Sequence, residues 1–84
     1  MSKINRFNIA EHLLSVQLKM VNKTMFEAMQ NPDWFHEWTM TTEQYEMFRS
    51  YSIPLLKKTF KFNTTKAKST FDWFNVQYGL RIKD

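Results

Sequence analysis

The sequence predicts an all-α fold, a compact bundle of three main helices plus one or two short helices, with residues 1–84 forming a single helical domain. Three observations point there. Glycine occurs once and proline twice, too little turn chemistry for an all-β chain with its many tight turns. Three stretches read as capping boxes: Asn8-Ile-Ala-Glu11, Thr24-Met-Phe-Glu27 and Thr41-Thr-Glu-Gln44. In each, a short side chain accepts from a free helical N–H while Glu or Gln reaches back to the cap. Each box also leads into apolar residues at helical spacing.

The first helix is expected from about Ile9 to Val21, after a flexible N-terminus over residues 1–7. Ile9, Leu13, Val16 and Met20 share one face, widened by Ala10, Leu14 and Val21. Leu14, Val16, Leu18 and Met20 also alternate as a half-buried strand would, but the cap and the good helix formers favour the helix. Thr24 starts a short helix to about Met29. Asn31-Pro32-Asp33 then restarts the chain, with Asn as cap, Pro at the first helical position and Asp near the positive end. Trp34, Phe35 and Trp38 follow within one turn and read as a plug for one end of the core.

The long helix is expected over Thr42 to Lys61, with Met40 and Tyr45 placed to form a hydrophobic staple across its start. Tyr45, Phe48, Ser52, Leu55, Leu56 and Thr59 mark its inner side. Pro54 lies inside it, lacks the donor for the Ser50 carbonyl and crowds that carbonyl, so a kink or break is expected near Ser52. The last helix starts near Asn63 or Thr64 and ends at Tyr78, with Ala67, Phe71, Phe74 and Tyr78 as its apolar stripe. Gly79 is expected as a left-handed cap, with Leu80 folding back on Phe74.

A chain of 84 residues buries only about 60–70% of its unfolded surface. It has no Cys, so no disulfide and no Cys-based zinc site can staple it. Aromatics at 17% and six Met imply that aromatic packing, helped by self-association such as a homodimer, replaces such staples. No signal peptide or apolar run of membrane-spanning length is visible. A cytoplasmic protein is expected, with no membrane partner.

The catalytic inventory is poor, and a non-enzyme is expected. His12 and His36 are the only histidines. His36-Glu37-Trp38 lacks the second His of a zinc helix motif. The serines have no nucleophile-elbow context, and Gly79 alone builds no phosphate loop. Neither a metal nor a cofactor is expected.

Charge is unevenly spread. Residues 1–48 carry four basic and six acidic side chains, net −2, while residues 49–84 carry eight and two, net +6. Such asymmetry between halves points to a polyanion partner. The densest segment is Lys57 to Lys68, KKTFKFNTTKAK, with five lysines and no acid. On a helix running to Lys61, Lys57 and Lys61 share a face with Lys58 beside them, and like charges at that spacing repel. Thr64, Thr65 and the free N–H groups of the last helix add donors. Lys66 and Lys68 lie in its first turn, where the helix dipole disfavours cations. Arg49, Arg81 and Lys83 extend the patch if the terminus folds alongside. A phosphate backbone would satisfy such a surface, and plain solvation accounts for the lysines equally well. Phe60 and Phe62 read either as core or as platforms for single-stranded bases. A different class of function, a protein-interaction module, would use Trp34, Phe35 and Trp38 as its contact surface.

NPDWFHEWTMTTEQ and KKTFKFNTTKAKSTFDWFNVQYGLRIKD together resemble a family of small accessory proteins of T4-like and related phages. The shared elements are a WTMT-EQ helix start, a basic KT-K connection and a final WFN-YGL, over roughly residues 31–83. The function of that family is mostly unassigned. The resemblance implies action on host machinery or host defence, with RNA binding and inhibition of a host toxin ribonuclease as the specific expectation. The RNA role would fall on Lys57, Lys58, Lys61, Lys66 and Lys68.

Overall fold

The computed structural model describes residues 5–84. It is 72% helical with only two short strands, so the all-α class holds. Helix α1 spans Arg6–Met20. It starts a turn earlier than expected because Asn5, in extended conformation, caps it: Asn5 Oδ1 accepts from Asn8 N–H at 2.9 Å. Asn8 is therefore inside the helix, and the Asn8–Glu11 box does not form. Arg6 and Phe7 are helical, which corrects the expected flexible segment there; residues 1–4 of that segment lie outside the described residues. Ile9, Leu13, Gln17 and Leu18 are buried. The helix, not the alternating strand, is the observed state.

Thr24 caps α2 (Met25–Gln30) through the expected box. Thr24 Oγ1 accepts from Glu27 N–H, and Glu27 Oε2 accepts from Thr24 N–H. Helix α3 (Trp34–Glu37) starts later than expected, with Asp33 as its uncapped first flank. Asn31 instead closes α2, and its Oδ1 accepts from Asp33 N–H in a local turn. That short Asx bond out-competes helix capping, so Pro32 precedes the helix. Strand β1 (Thr39–Met40) then pairs in parallel with β2 (Arg81–Ile82), Thr39 opposite Arg81 and Met40 opposite Ile82.

Helix α4 (Thr42–Thr59) opens on the full Thr41–Gln44 box. It runs unbroken through Pro54. Ser50 and Pro54 both lie on the exposed side, where water can take the carbonyl that Pro54 leaves without a donor. Ser52 and Leu56, buried on the other side, hold the helix against the core. The Ser52 hydroxyl finds no partner there. Thr59, expected on the inner side, is exposed.

Helix α5 (Thr64–Tyr78) is capped by Asn63, whose Oδ1 accepts from Lys66 N–H at 2.8 Å. It ends at Gly79, which is extended (φ −67°) and not left-handed. Glycine is needed there for space instead. A Cβ would lie 2.6 Å from the Asn75 carbonyl oxygen and 2.9 Å from Asn75 Cα.

Helices α4 and α5 form an antiparallel hairpin joined by Phe60–Asn63. Phe48 is fully buried against Phe71 and Phe74, with ring centroids 4.9 and 5.8 Å apart. Helix α1 packs on both α4 and α5. At its end the buried Gln17 donates from Nε2 to Tyr78 O at 3.1 Å and accepts from Leu80 N–H on Oε1 at 3.2 Å. The chain then reaches α4 again, where Asp84 accepts from Thr42 N–H and Oγ1 at 2.8 and 2.7 Å.

Two outcomes follow from these bonds. Gln17→Leu keeps the volume and orphans two backbone groups, each worth about 1–3 kcal/mol when left unpaired. The variant should melt roughly 10 °C or more below the parent, and an unchanged melt would refute the clamp. The backbone and then the side-chain bonds from Thr42 hold the Asp84 carboxyl below its ordinary value of 3.8. A lowered folded value means its contribution is complete above 3.8 and fades as the pH falls through the folded value. Asp84→Ala should therefore be less stable at neutral pH, with the gap closing as the pH is lowered below 3.8. Denaturant melts across pH check this, and a gap that persists unchanged in acid contradicts it.

Candidate nucleic-acid interface

Helix α4 must stop where its buried face runs out. After Leu56, the core takes Phe60 and Phe62 rather than further helical positions. Phe60 N–H and Phe62 N–H both reach the Leu56 carbonyl, at 3.1 and 3.4 Å. To bring both rings inward the chain bends sharply at Lys61, which has φ +61°. A residue with a Cβ pays about 1–2 kcal/mol for that left-handed conformation. Asn22, the other described non-glycine at positive φ, is a residue type that tolerates it.

The bend corrects the reasoning behind the lysine pair. Because α4 ends at Thr59, Lys61 is off the helix and shares no helical face with Lys57. Lys57 and Lys58 lie in the last turn of α4, where the helix dipole favours cations. Lys61 projects from the connection, and Lys66 and Lys68 from the first two turns of α5. Lys57, Lys58, Lys61, Lys66 and Lys68 are all exposed, as are Thr64 and Thr65. No acid occurs between Glu46 and Asp72. Among the described residues no carboxylate forms an ion pair with these lysines. Asn63 takes the Lys66 amide, and the amides of Thr64 and Thr65, at the first two helical positions, have no intrahelical acceptor.

The remaining predicted cations sit elsewhere. Arg49 is half-buried midway along α4, its guanidinium 5.9 Å from the Phe71 ring centroid. Arg81 and Lys83 lie at the far end of α5, where Arg81 donates to His36 O and Lys83 N–H to Met40 O. Fifteen residues of α5 at about 1.5 Å each put roughly 22 Å between that end and the lysine junction. The terminus folds away from the patch. Phe60 and Phe62 are buried and stacked on one another, centroids 5.8 Å apart, so neither offers a free face. Trp34 is buried against Phe35 at 3.8 Å, and Phe35 and Trp38 are half-buried. Lys23 Nζ lies 5.0 Å over Trp38.

Two residues that the sequence reading passed over join the basic region. A cleft of about 490 Å³ opens beside the junction, walled by Asn5, Arg6 and Ile9 of the α1 start and by Phe62, Lys66, Ser69, Thr70 and Trp73. Arg6 stands 5.4 Å over Trp73, and Lys66 Nζ 4.6 Å over Phe62. Lys66, Ser69, Thr70 and Trp73 recur at helical spacing, a signal the sequence contained. Arg6 was missed because α1 was started too late.

Among the described residues no group of three or more His, Asp or Glu side chains is placed to hold a metal ion, and no helix is long and apolar enough to cross a membrane. No family model, curated protein or solved structure matches the chain.

The left-handed lysine separates function from folding. Lys61→Gly should raise stability by about 0.5–1 kcal/mol by removing the Cβ strain while weakening binding of a polyanion. Urea melts and binding titrations check the pair of effects. A Lys61→Gly protein that is less stable than the parent contradicts the strain.

Proposed function

We propose that the protein binds nucleic acid, RNA more than DNA, through the lysine junction between α4 and α5, and that it acts as a phage-type accessory protein that inhibits a host defence protein such as a toxin ribonuclease. The supporting observation is the junction itself: five exposed lysines, without carboxylate partners among the described residues, flank two helix ends and the amides of Thr64 and Thr65. An exposed surface of one sign attracts a polyanion, and docked phosphates would neutralise it. Binding rests on backbone charge, which gives affinity without base readout. RNA, the phage setting and the host target rest on the resemblance of residues 31–83 alone. The cytoplasm of the host cell is the matching location.

A second reading is a protein contact without nucleic acid. Burial of Trp34 moves it away from the Trp34–Trp38 segment. Among the large exposed apolar side chains, Phe7 and Met25 line a groove with Ala10, Glu11, Leu14 and Tyr78, and Phe26 and Met29 follow Met25 on α2, also exposed. Its acid suits an amphipathic segment of a partner protein that sets a cation against Glu11.

Filter binding to single-stranded RNA decides between them. With about five phosphates engaged, affinity should fall on the order of 100-fold from 50 to 200 mM salt. Lys57→Glu with Lys61→Glu should abolish most binding and leave the circular dichroism spectrum intact. Salt-independent or unchanged binding in the double variant refutes the site. A purified partner retained after nuclease by the double variant, and lost on Phe26→Ser, supports the protein contact instead.

A further inference from the structure

Phe60 and Phe62 are in the core, so a base on this surface needs another platform. The cleft beside the junction supplies one. Of its eight described lining residues two are cationic, Arg6 and Lys66, and none is acidic. Its floor is apolar, from Ile9 and Phe62, both buried. Trp73 is half-exposed at one end, and Asp72, its acidic neighbour in sequence, does not line the cleft. Ser69 Oγ is committed to the Lys66 carbonyl and Asn5 Oδ1 to the Asn8 N–H, which leaves the Thr70 hydroxyl and the Asn5 Nδ2 amide as polar groups on opposite walls. At about 490 Å³ the space falls within the range of small-ligand sites.

We infer that this cleft holds one unpaired nucleotide of a single strand, its base stacked on Trp73 and its phosphate held between Arg6 and Lys66. The inference rests on the nucleic-acid reading above and extends it from charge to stacking. Stacking takes any base, because every base has a π face. Two cations and no acid among the described lining residues favour an anionic group over a neutral ligand. Lys66 belongs to both the junction and the cleft, so a strand crossing the lysines enters the cleft without leaving the protein. The guanidinium of Arg6, over Trp73 in the free protein, gives up that ring face to the base when it takes the phosphate.

The experiment compares Trp73→Ala, Trp73→Phe and Arg6→Ser in the full chain. The probes are oligoriboadenylate, oligodeoxyriboadenylate and inorganic polyphosphate, which carries the charge without a base. Trp73→Ala should bind both oligonucleotides about 5- to 150-fold more weakly, the worth of one stacked base. Its salt dependence and its polyphosphate affinity should match the parent. Trp73→Phe should recover much of the loss, and Arg6→Ser should weaken both oligonucleotides and flatten the salt dependence by about one phosphate. Loss confined to the ribo-oligomer assigns the ligand to RNA; equal loss assigns it to single strands of either sugar. Equal oligonucleotide affinity of Trp73→Ala and parent overturns the cleft and leaves the lysine junction standing. Equal loss for polyphosphate overturns it also, since Trp73 would then act only through the fold. If Trp73→Ala does not fold, Arg6→Ser carries the test, because Arg6 is exposed. A parent that binds none of the three probes overturns the nucleic-acid reading itself.

Discussion

Gln17 sits without solvent exposure where α1 meets the end of α5, and its carboxamide takes up the two backbone groups on either side of Gly79. Burying such an amide unpaired would cost several kcal/mol. Paired, it fixes the one place where the chain leaves α5. The missing Cβ of Gly79 lets that exit run tight against Asn75. Leu80 then enters the core, β2 meets β1, and Asp84 reaches the first turn of α4. A polar side chain on the first helix thus sets how the last residues return to the fourth. The same contact brings the end of α1 to the end of α5, which leaves the start of α1 beside the first half of α5. The cleft at Arg6 and Trp73 exists because of that alignment.

The opposite end of the α4–α5 hairpin is built on a different principle. There the apolar residues Leu56, Phe60, Phe62 and Ala67 are drawn inward in quick succession. Every polar residue between them is forced out, and those residues are mostly lysine and threonine. Phe60 and Phe62 can both be buried only if the backbone turns at Lys61, so the strain at that residue is a consequence of packing. Its identity is not: glycine would fit the same turn with less strain. A lysine in a conformation that favours glycine, followed by lysines at the positive end of a helix, departs twice from what stability alone would select. Such departures concentrate at functional positions.

Much of this was legible in the sequence, and the exceptions have physical causes. The boxes at Thr24 and Thr41 and the stripe Ala67–Phe71–Phe74 were readable because cap chemistry and apolar period agreed. Asn8 misled because Asn5 offers the same cap three residues earlier, and local chemistry alone cannot rank the two. Gln17 and Leu18 were invisible as core, since a polar residue and an off-stripe one are buried only when a second element covers them. The β1–β2 pairing and the Asp84 cap join residues more than forty positions apart, beyond the reach of any local pattern. Pro54 should have broken α4 by propensity; tertiary burial of Ser52 and Leu56 prevailed. At the candidate site, the lysines were legible as composition. Their relation to Arg6 and Trp73 was not, because it depends on where α1 lies.

The geometry also constrains how a strand would run. The cations at Arg81 and Lys83 are separated from the junction by about the full length of α5, and their neighbours include Glu37. A backbone spanning both groups would have to pass Asp72, Trp73 and the neutral face of Val76 and Gln77. The shorter course goes from Lys57 and Lys58 across Lys61 to Lys66 and then to Arg6, with no acid among the described residues that line the cleft at its end. Along that course charge comes first and the aromatic face second. Encounter would be steered by the lysines and would lose strength with salt, while residence would depend on the stacked base at Trp73. Those two contributions reside on separate side chains, which is what makes them separable in one molecule.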